Sequence, residues 1–367
     1  MSEWKKTYLR DLIVIKNGKD HKKLKNGQYP VYGSGGIMRY ADSYLYDQES
    51  VLLPRKGTLN NIQFVTEPFW TVDTCYYTVV NRDKVLPYFL YCCLCKMDIQ
   101  SLNTGSAVPS MTFEKYYSIE VPIPPLSTQH CIANILSRYD SLIENYQKQI
   151  KLLEEAAQRL YKEWFVDLHF PGHENTKIDD GVPEGWEKKK LHEIAEVVLG
   201  SSPKSEFYNN DKQGLPFHQG VGSYGTRFVD DNVYSISITR LAEPNSILFS
   251  VRAPVGRLNI TKNKIIIGRG LAAMNHKDGF QSFLFYMLKE RFFMDNIIGN
   301  GSIFASISKV ELLDQEFIVP PMKTIKAFES LASKLDKKIQ GVDTQLRLLI
   351  EARDRLLPKL MSGEITV

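Results

Sequence analysis

The stretch Ile123-Pro124-Pro125-Leu126 returns 196 residues later as Val319-Pro320-Pro321-Met322. A match of this kind indicates an internal repeat. The same offset relates further pairs of identical residues, among them Gly105 and Gly301, Ser106 and Ser302, Ser110 and Ser306, and Asp140 and Asp336. Trp4 matches Trp186 at an offset of 182, so the second copy has gained about a dozen residues between these landmarks.

Each copy consists of about 120 residues of mixed character followed by about 40 residues with helical periodicity. Residues 50–57 (SVLLPRKG) and 263–270 (NKIIIGRG) combine β-branched residues with Gly and Pro turns, which predicts short strands. Residues 89–94 (FLYCCL) and 282–293 (SFLFYMLKERFF) are better interpreted as short buried helices. Each copy is therefore predicted to begin with an α+β domain.

The helical segments follow the two proline pairs and carry apolar residues at alternating spacings of three and four, the heptad pattern of a helix seam. The first seam is Ile132, Ile135, Tyr139, Leu142, Tyr146, Ile150, Leu153, Ala157, Leu160 and Trp164. The second is Phe328, Leu331, Leu335, Ile339, Val342, Leu346, Leu349, Leu356 and Leu360. We expect Ser127 to cap the first helix and Pro358 to end or kink the second near Leu357.

Two long helices separated by a whole domain predict an antiparallel coiled-coil pair with one domain at each end and a pseudo-two-fold axis. At a rise of 1.5 Å per residue, such a helix spans about 60 Å and would act as a spacer. A dimerisation coiled coil is the alternative for one such helix alone. The expected boundaries are 1–123 (first domain), 124–167 (first helix), 168–184 (linker), 185–319 (second domain) and 320–367 (second helix and tail).

The composition, with 43% hydrophobic and 24% charged residues, is that of an ordinary globular protein. Neither an apolar run of about 18 residues nor a signal peptide is found, so we expect a cytoplasmic protein without a membrane partner. A formal net charge of +4 neither requires nor excludes a nucleic-acid partner. The five cysteines are expected to pack as free thiols, because no zinc-site spacing accompanies them.

The sequence lacks the motifs of enzymes that modify or cut DNA. An amino-methyltransferase needs Asn or Asp before its proline pair and an aromatic residue after it, whereas Ile123 and Val319 precede these pairs and Leu126 and Met322 follow them. Neither a dinucleotide-binding nor a phosphate-binding glycine motif occurs, and the seven histidines are scattered. We therefore expect no catalytic residue, no metal site and no cofactor in this chain.

Several segments resemble the DNA-specificity (S) subunits of type I restriction-modification systems, and the resemblance covers essentially the whole chain. They are residues 105–125 (GSAVPSMTFEKYYSIEVPIPP), 159–172 (RLYKEWFVDLHFPG), 182–203 (VPEGWEKKKLHEIAEVVLGSSP), 301–321 (GSIFASISKVELLDQEFIVPP) and 355–367 (RLLPKLMSGEITV). The resemblance implies two target-recognition domains that each read one half of a bipartite site in double-stranded DNA. It also implies two modification (methyltransferase) subunits on the helices, joined by restriction subunits. S-adenosylmethionine, ATP and Mg²⁺ would then be bound by those partners.

Residues that contact DNA are expected among basic, amide, hydroxyl and aromatic side chains on loops that follow strands. In the first domain the candidates are Lys22, Lys23, Tyr32, Arg55, Lys56, Asn60, Asn61 and Ser110. In the second they are Lys204, His218, Gln219, Arg227, Arg252, Arg257, Arg269 and Ser306. For each one, a solvated surface position is the competing interpretation.

Two other functions remain open at this point. The first is a scaffold whose two domains on a coiled-coil rod bind other proteins and no DNA. The second is a stand-alone endonuclease, which would need carboxylates and a lysine around Mg²⁺ that do not occur at repeat-matched positions. The DNA target itself does not follow from the sequence.

Overall fold

The structure is a computed structural model that describes residues 4–103, 105, 108–292 and 306–367. Its contacts divide the chain into two units. The first consists of Met1–Tyr146 and Gln345–Val367, and the second of Gln147–Thr344. Because both long helices cross these boundaries, each helix contributes residues to both units.

Among the residues of the first unit that the structure describes, nine strands form three sheets. In chain order they are β1 (Lys5–Tyr8), β2 (Ile13–Lys16), β3 (Tyr29–Gly33), β4 (Gly36–Ala41), β5 (Ser50–Pro54), β6 (Gln63–Val65), β7 (Trp70–Thr71), β8 (Cys75–Val80) and β9 (Glu120–Ile123). The sheet orders are β2-β8-β5-β6, β4-β3-β7 and β1-β9. Every residue of β5 is buried, which explains its nearly continuous apolar sequence.

Helices α1 (Pro87–Cys95), α2 (Phe113–Tyr117) and α3 (Leu126–Phe165) belong wholly or partly to the first unit. Its core joins Phe89 of α1 and Tyr116 of α2 with Ile132 near the start of α3. Leu360 and Met361, from the far end of the chain, are buried in the same core. The first unit is therefore completed by residues that follow the whole second unit in sequence.

Over the described residues, the second unit repeats this plan with more strands. They are β10 (Ile178–Asp179), β11 (Val182–Pro183), β12 (Glu187–Lys190), β13 (Ala195–Leu199), β14 (Tyr208–Asn209), β15 (Leu215–His218), β16 (Tyr234–Ser235), β17 (Leu241–Ala242), β18 (Ile247–Ser250), β19 (Leu258–Ile260), β20 (Ile265–Ile267), β21 (Leu271–His276) and β22 (Glu316–Val319). The sheet orders are β13-β21-β18-β19, β14-β16-β15-β20-β17, β12-β22 and β10-β11. In the described part of this unit the helices are α4 (Leu191–Ile194), α5 (Gln281–Phe292), α6 (Lys309–Leu313) and α7 (Met322–Ser362).

Several aromatic side chains cluster in the core of the second unit. Tyr161 and Trp164, near the end of α3, lie with their ring centroids 5.8 Å and 6.0 Å from that of Phe328, near the start of α7. Phe283 of α5 packs on the same cluster. In the second unit the end of α3 therefore meets the start of α7, and in the first unit the start of α3 meets the end of α7. The two helices run antiparallel in each unit, as predicted.

The strand registers reproduce the two sequence offsets. β1 pairs with β9 so that Lys5 lies opposite Ile123, and β12 pairs with β22 so that Glu187 lies opposite Val319. Lys5 and Glu187 differ by 182 positions, and Ile123 and Val319 by 196. The predicted repeat is thus a structural repeat at the level of individual strand pairs.

The predicted strands and short helices are confirmed. Residues 50–57 contain β5, and residues 263–270 contain β20. Residues 89–94 lie in α1, and α5 begins at Gln281, one residue before the predicted segment. The predicted linker contains the β10-β11 hairpin, and Phe170 at its start packs on Trp186 at 5.3 Å between ring centroids.

The predicted cap of the first helix is wrong. Of the two alternatives predicted for Pro358, an end of the second helix near Leu357 is also wrong. α3 already begins at Leu126, so Ser127 lies in its first turn and is not the cap. α7 continues through Pro358 to Ser362. Burial of Leu360 and Met361 stabilises this last turn enough to offset the hydrogen bond that the proline nitrogen cannot donate.

The heptad seams also differ from the sequence pattern in detail. Leu142 and Leu331 are exposed, whereas their neighbours Ile143 and Ala332 are buried. In α3 the buried positions Leu136, Ile143, Ile150 and Ala157 keep the seven-residue spacing. The period was therefore correct, but part of the seam lies one residue further along than the pattern indicated.

Truncation of Leu360 tests the closure of the first unit. We expect Leu360→Ala to lower the free energy of unfolding by about 2–5 kcal/mol, because it leaves a cavity in a packed core. Leu348→Ala on the same helix is the control, since Leu348 is 60% exposed. Urea denaturation followed by circular dichroism measures both. Equal midpoints for the two variants would contradict the packing described here.

Candidate nucleic-acid interface

A glycine-flanked turn at Gly268–Gly270 in the second unit presents Arg269 to solvent. The nitrogen of Gly268 donates to the carbonyl of His218 at 2.8 Å, and that of Gly270 to the carbonyl of Gln219 at 3.1 Å. The nitrogen of Arg269 donates to Ser202 Oγ at 3.2 Å. A Cβ atom on Gly270 would lie 2.4 Å from the Gln219 carbonyl oxygen, so this approach requires glycine. The exposed Arg269 and Gln219 side chains are thus held on a well-anchored backbone.

Arg252 lies on the segment next to this turn. The nitrogen of Val251 donates to the carbonyl of Gly270 at 2.9 Å, and Arg252 forms an isolated β-bridge with Ser306. The side chains of Arg252 and Arg269 are exposed, and neither forms an ion pair with a residue in the described ranges. Two cations on adjacent, hydrogen-bonded segments suit the recognition of phosphates or guanine.

Arg257 and Lys204 lie on neighbouring loops and are exposed. The backbone nitrogen of Arg257 donates to Ser250 Oγ at 2.8 Å, which places it just before β19. Lys204 Nζ lies 3.8 Å from Glu206 Oε1, and an exposed pair of this kind contributes little to stability. The Lys204 side chain can therefore reach a ligand at low cost.

His218, a predicted DNA contact, is buried with only 1% of its surface exposed, so its side chain is not accessible to a ligand. Its Nε2 lies 2.9 Å from Asp231 Oδ1 and its Nδ1 lies 2.7 Å from Ser223 Oγ. Asn263 donates to the other oxygen of Asp231 at 2.9 Å. Such a set of groups can activate a hydroxyl nucleophile elsewhere, but this imidazole is inaccessible to a substrate. Its role here is to fix the loop that positions Gln219.

Arg227 also leaves the set of candidates, because it is only 2% exposed. Its guanidinium donates to Asp336 of α7 at 2.6 Å and lies 3.6 Å from a Glu154 carboxylate oxygen of α3. The guanidinium carbon stands 3.7 Å from the centroid of the Phe285 ring. The sequence correctly indicated a basic residue in a loop. Its charge, however, stabilises the packing of that loop against the two long helices.

Removal of the Arg227 guanidinium should destabilise the second unit. Arg227→Ala leaves two partly buried carboxylates without their cation, and we expect a loss of about 3 kcal/mol in the free energy of unfolding. Arg240→Ala is the control, because Arg240 is exposed and forms no ion pair with a described residue. Urea unfolding monitored by tryptophan fluorescence measures both. If Arg227→Ala matched the control, the buried cluster would have no structural role.

The first unit carries the same backbone frame around Lys56. The nitrogens of Arg55 and Lys56 donate to the carbonyl of Thr74 at 2.8 Å and 3.3 Å, and the nitrogen of Met111 donates to the carbonyl of Arg55 at 2.9 Å. Lys56 forms an isolated β-bridge with Ser110. Shifted by 196 positions, this bridge becomes the one between Arg252 and Ser306. The two units therefore hold a cation at the same place in the fold.

Arg55 stands beside Lys56 but is less exposed. Its guanidinium donates to the carbonyl of Asp73 at 3.4 Å and lies 5.8 Å from the centroid of the Tyr76 ring. Lys22 and Lys23 are exposed on the loop between β2 and β3. That loop is anchored to β7, because the nitrogen of Lys19 donates to the carbonyl of Thr71 at 2.8 Å.

Three other candidates in the first unit support the loops. Asn60 Oδ1 accepts a hydrogen bond from the nitrogen of Gln100 at 2.7 Å, and Asn61 Nδ2 donates to the carbonyl of Ser34 at 2.7 Å. Tyr32 is half-buried, and desolvation raises the pKa of its hydroxyl to about 12. Asn60 and Asn61 thus support neighbouring segments through hydrogen bonds. The Tyr32 ring packs on Phe69 at 6.2 Å between ring centroids.

Asp73 is a residue that the search for basic side chains missed. It is exposed in the turn between β7 and β8 and occupies the position of Arg269 at the offset of 196. The repeat itself is the signal that could have found it. In the described ranges, His, Cys, Asp and Glu side chains nowhere gather in threes that could hold a metal ion. The helices of those ranges include none long and apolar enough to cross a membrane.

Comparisons with known proteins agree with this architecture. The family model of the type I restriction modification DNA specificity domain matches residues 1–155 and 183–348. The chain therefore belongs to the family of type I restriction-modification DNA-specificity proteins.

Individual relatives support this membership. The putative type I restriction enzyme MjaX specificity subunit of Methanocaldococcus jannaschii is 31% identical over 297 residues, which cover 78% of this chain and 70% of the relative. The MjaIX specificity subunit of the same organism is 28% identical over 346 residues, covering 88% and 79%. The crystal structure of the S subunit from M. genitalium has the same fold, with a TM-score of 0.67 at 17% identity over 98% of this chain and 96% of that one.

Proposed function

We propose that this chain provides the sequence specificity of a type I restriction-modification complex by reading a two-part target in double-stranded DNA. One observation carries the proposal. Both units present an exposed cation, Lys56 or Arg252, from the same bridged position of the same backbone frame. Two copies of one reading surface suit two half-sites.

The proposal assigns the chemistry to partner subunits in the cytoplasm. Two modification subunits would bind the helices α3 and α7, and these subunits would bind S-adenosylmethionine. Restriction subunits would bind ATP and Mg²⁺. The motifs for these activities are missing from the sequence, which supports a non-catalytic role for this chain. Within that role, Lys22, Lys23, Lys204, Gln219 and Arg257 would hold phosphates or base edges around the central cations.

Selection from randomised duplexes tests the proposal. The chain is purified with its modification subunits and incubated with a library of DNA duplexes, and the bound fraction is sequenced. We expect two short enriched motifs at a constant separation. A protein-binding scaffold without DNA specificity would enrich nothing, and that outcome would overturn the proposal.

The central cations should act on separate halves of the target. We expect Arg252→Ala to relax the preference in one half-site only, at a cost of about 1–3 kcal/mol if its guanidinium contacts guanine through two hydrogen bonds. Lys56→Ala is the matched variant and should affect only the other half-site. Competition binding with duplexes altered in either half measures both. A uniform loss on all sequences would assign these residues to phosphates instead.

The length of the helices should set the separation of the half-sites. Deletion of residues 143–149 from α3 and 339–345 from α7 removes one heptad from each helix at repeat-matched positions. The helices then shorten by about 10 Å, which corresponds to about three base pairs. We expect a shorter separation in the selected DNA, or loss of the complex. Stable binding at an unchanged separation would refute the spacer role.

A further inference from the structure

The turn between β7 and β8 in the first unit and the turn between β20 and β21 in the second occupy the same frame. The nitrogens of Lys19 and Ser201 donate to the carbonyls of Thr71 and Ile267 at 2.8 Å and 2.9 Å. These two hydrogen bonds differ by 182 positions at the donor and 196 at the acceptor. The last residues of the strands that lead into the two turns are thus held in the same way.

The other side of each turn is held equally. The nitrogens of Arg55 and Val251 donate to the carbonyls of Thr74 and Gly270, at 2.8 Å and 2.9 Å. Donors and acceptors again differ by 196 positions. A Cβ atom on Gly18 would lie 2.0 Å from the carbonyl oxygen of Val72, and one on Gly200 would lie 2.1 Å from that of Gly268. Both close approaches therefore require glycine.

The exposed residue in the middle of each turn carries the opposite charge. It is Asp73 in the first unit and Arg269 in the second. Neither side chain forms a hydrogen bond or ion pair with any residue of the described ranges. Because the backbone hydrogen bonds of the two turns match, the side chains at this position differ in charge while the backbone that holds them is the same.

Asp73 lies in basic surroundings. The backbone carbonyl of Asp73 accepts a hydrogen bond from the Arg55 guanidinium. The backbone nitrogen of Lys56 donates to the carbonyl of Thr74, the residue after Asp73. A carboxylate on a DNA-binding surface is repelled by phosphates, so it suits a position that faces a base rather than the backbone. Carboxylates accept hydrogen bonds from the exocyclic amino groups of bases, whereas arginine donates to guanine.

We infer that positions 73 and 269 are a repeat-related pair of specificity-determining residues, in which Asp73 accepts from the amino group of cytosine or adenine and Arg269 donates to guanine. This inference rests on the proposed function. It adds an acidic residue to a surface defined so far by its cations, and it explains how one frame reads two different half-sites. Aspartate is also a common turn residue, and a role confined to the turn is the competing explanation.

Base analogues test the inference on the complete complex. The preferred duplex is first established for the unaltered complex, so failure to find one would refute the proposed function and not this assignment alone. Duplexes are then made in which one adenine is replaced by purine, or one cytosine by 2-pyrimidinone, both of which lack the amino group. We expect one such replacement in the first half-site to weaken binding by about 10-fold.

In the Asp73→Ala complex the same replacement should have no further effect, because the acceptor is already gone. The replaced base identifies cytosine or adenine as the partner. Asp83→Ala, at the other end of β8, is the matched control and should keep the full sensitivity. Asp73→Ser retains a turn-forming side chain and takes the place of the alanine variant if that variant does not fold.

Arg269→Gln gives the reciprocal measurement in the second half-site. Its preference for one guanine should fall by about 10-fold, while the first half-site stays unchanged. Equal sensitivity to the analogues with and without Asp73 would overturn the assignment for the first unit. A loss of affinity that is independent of sequence in Arg269→Gln would overturn it for the second.

Discussion

The packing of Leu360 and Met361 against Ile132 and Leu136 completes the core of the first unit with the last turn of α7. The chain must therefore pass through the whole second unit before the first one is closed. This constraint requires the two long helices to be antiparallel, because the start of one has to meet the end of the other in each unit. The spacer role proposed for α3 and α7 depends on this closure.

Each unit then uses its sheets to hold a small number of loops in place. Backbone hydrogen bonds at repeat-related positions fix the segments around Lys56 and Arg252, and glycines allow the segments to approach closely. Buried polar groups fix other loops, as His218 and Asp231 do beneath Gln219. A rigid frame limits the entropy lost on binding. Differences between exposed side chains therefore translate into differences in affinity for different DNA sequences.

The architecture followed from the sequence because a repeat and a heptad spacing are properties of the chain itself. The element types of residues 50–57 and 89–94 were predicted correctly, because burial and secondary-structure propensity favour the same element there. The site was only partly predictable. Arg227 and Arg252 look equivalent in sequence, yet one meets two carboxylates inside the unit and the other faces solvent. That difference depends on contacts with α3 and α7, which lie far away along the chain.

The central claim is that one chain reads two half-sites through two copies of one surface. Mapping of methylated bases by single-molecule sequencing, in DNA from cells that express this chain with its modification subunit, tests it most directly. We expect one methylated motif made of two specific parts separated by a constant number of unspecified base pairs. A single continuous motif, or methylation without any sequence preference, would contradict it.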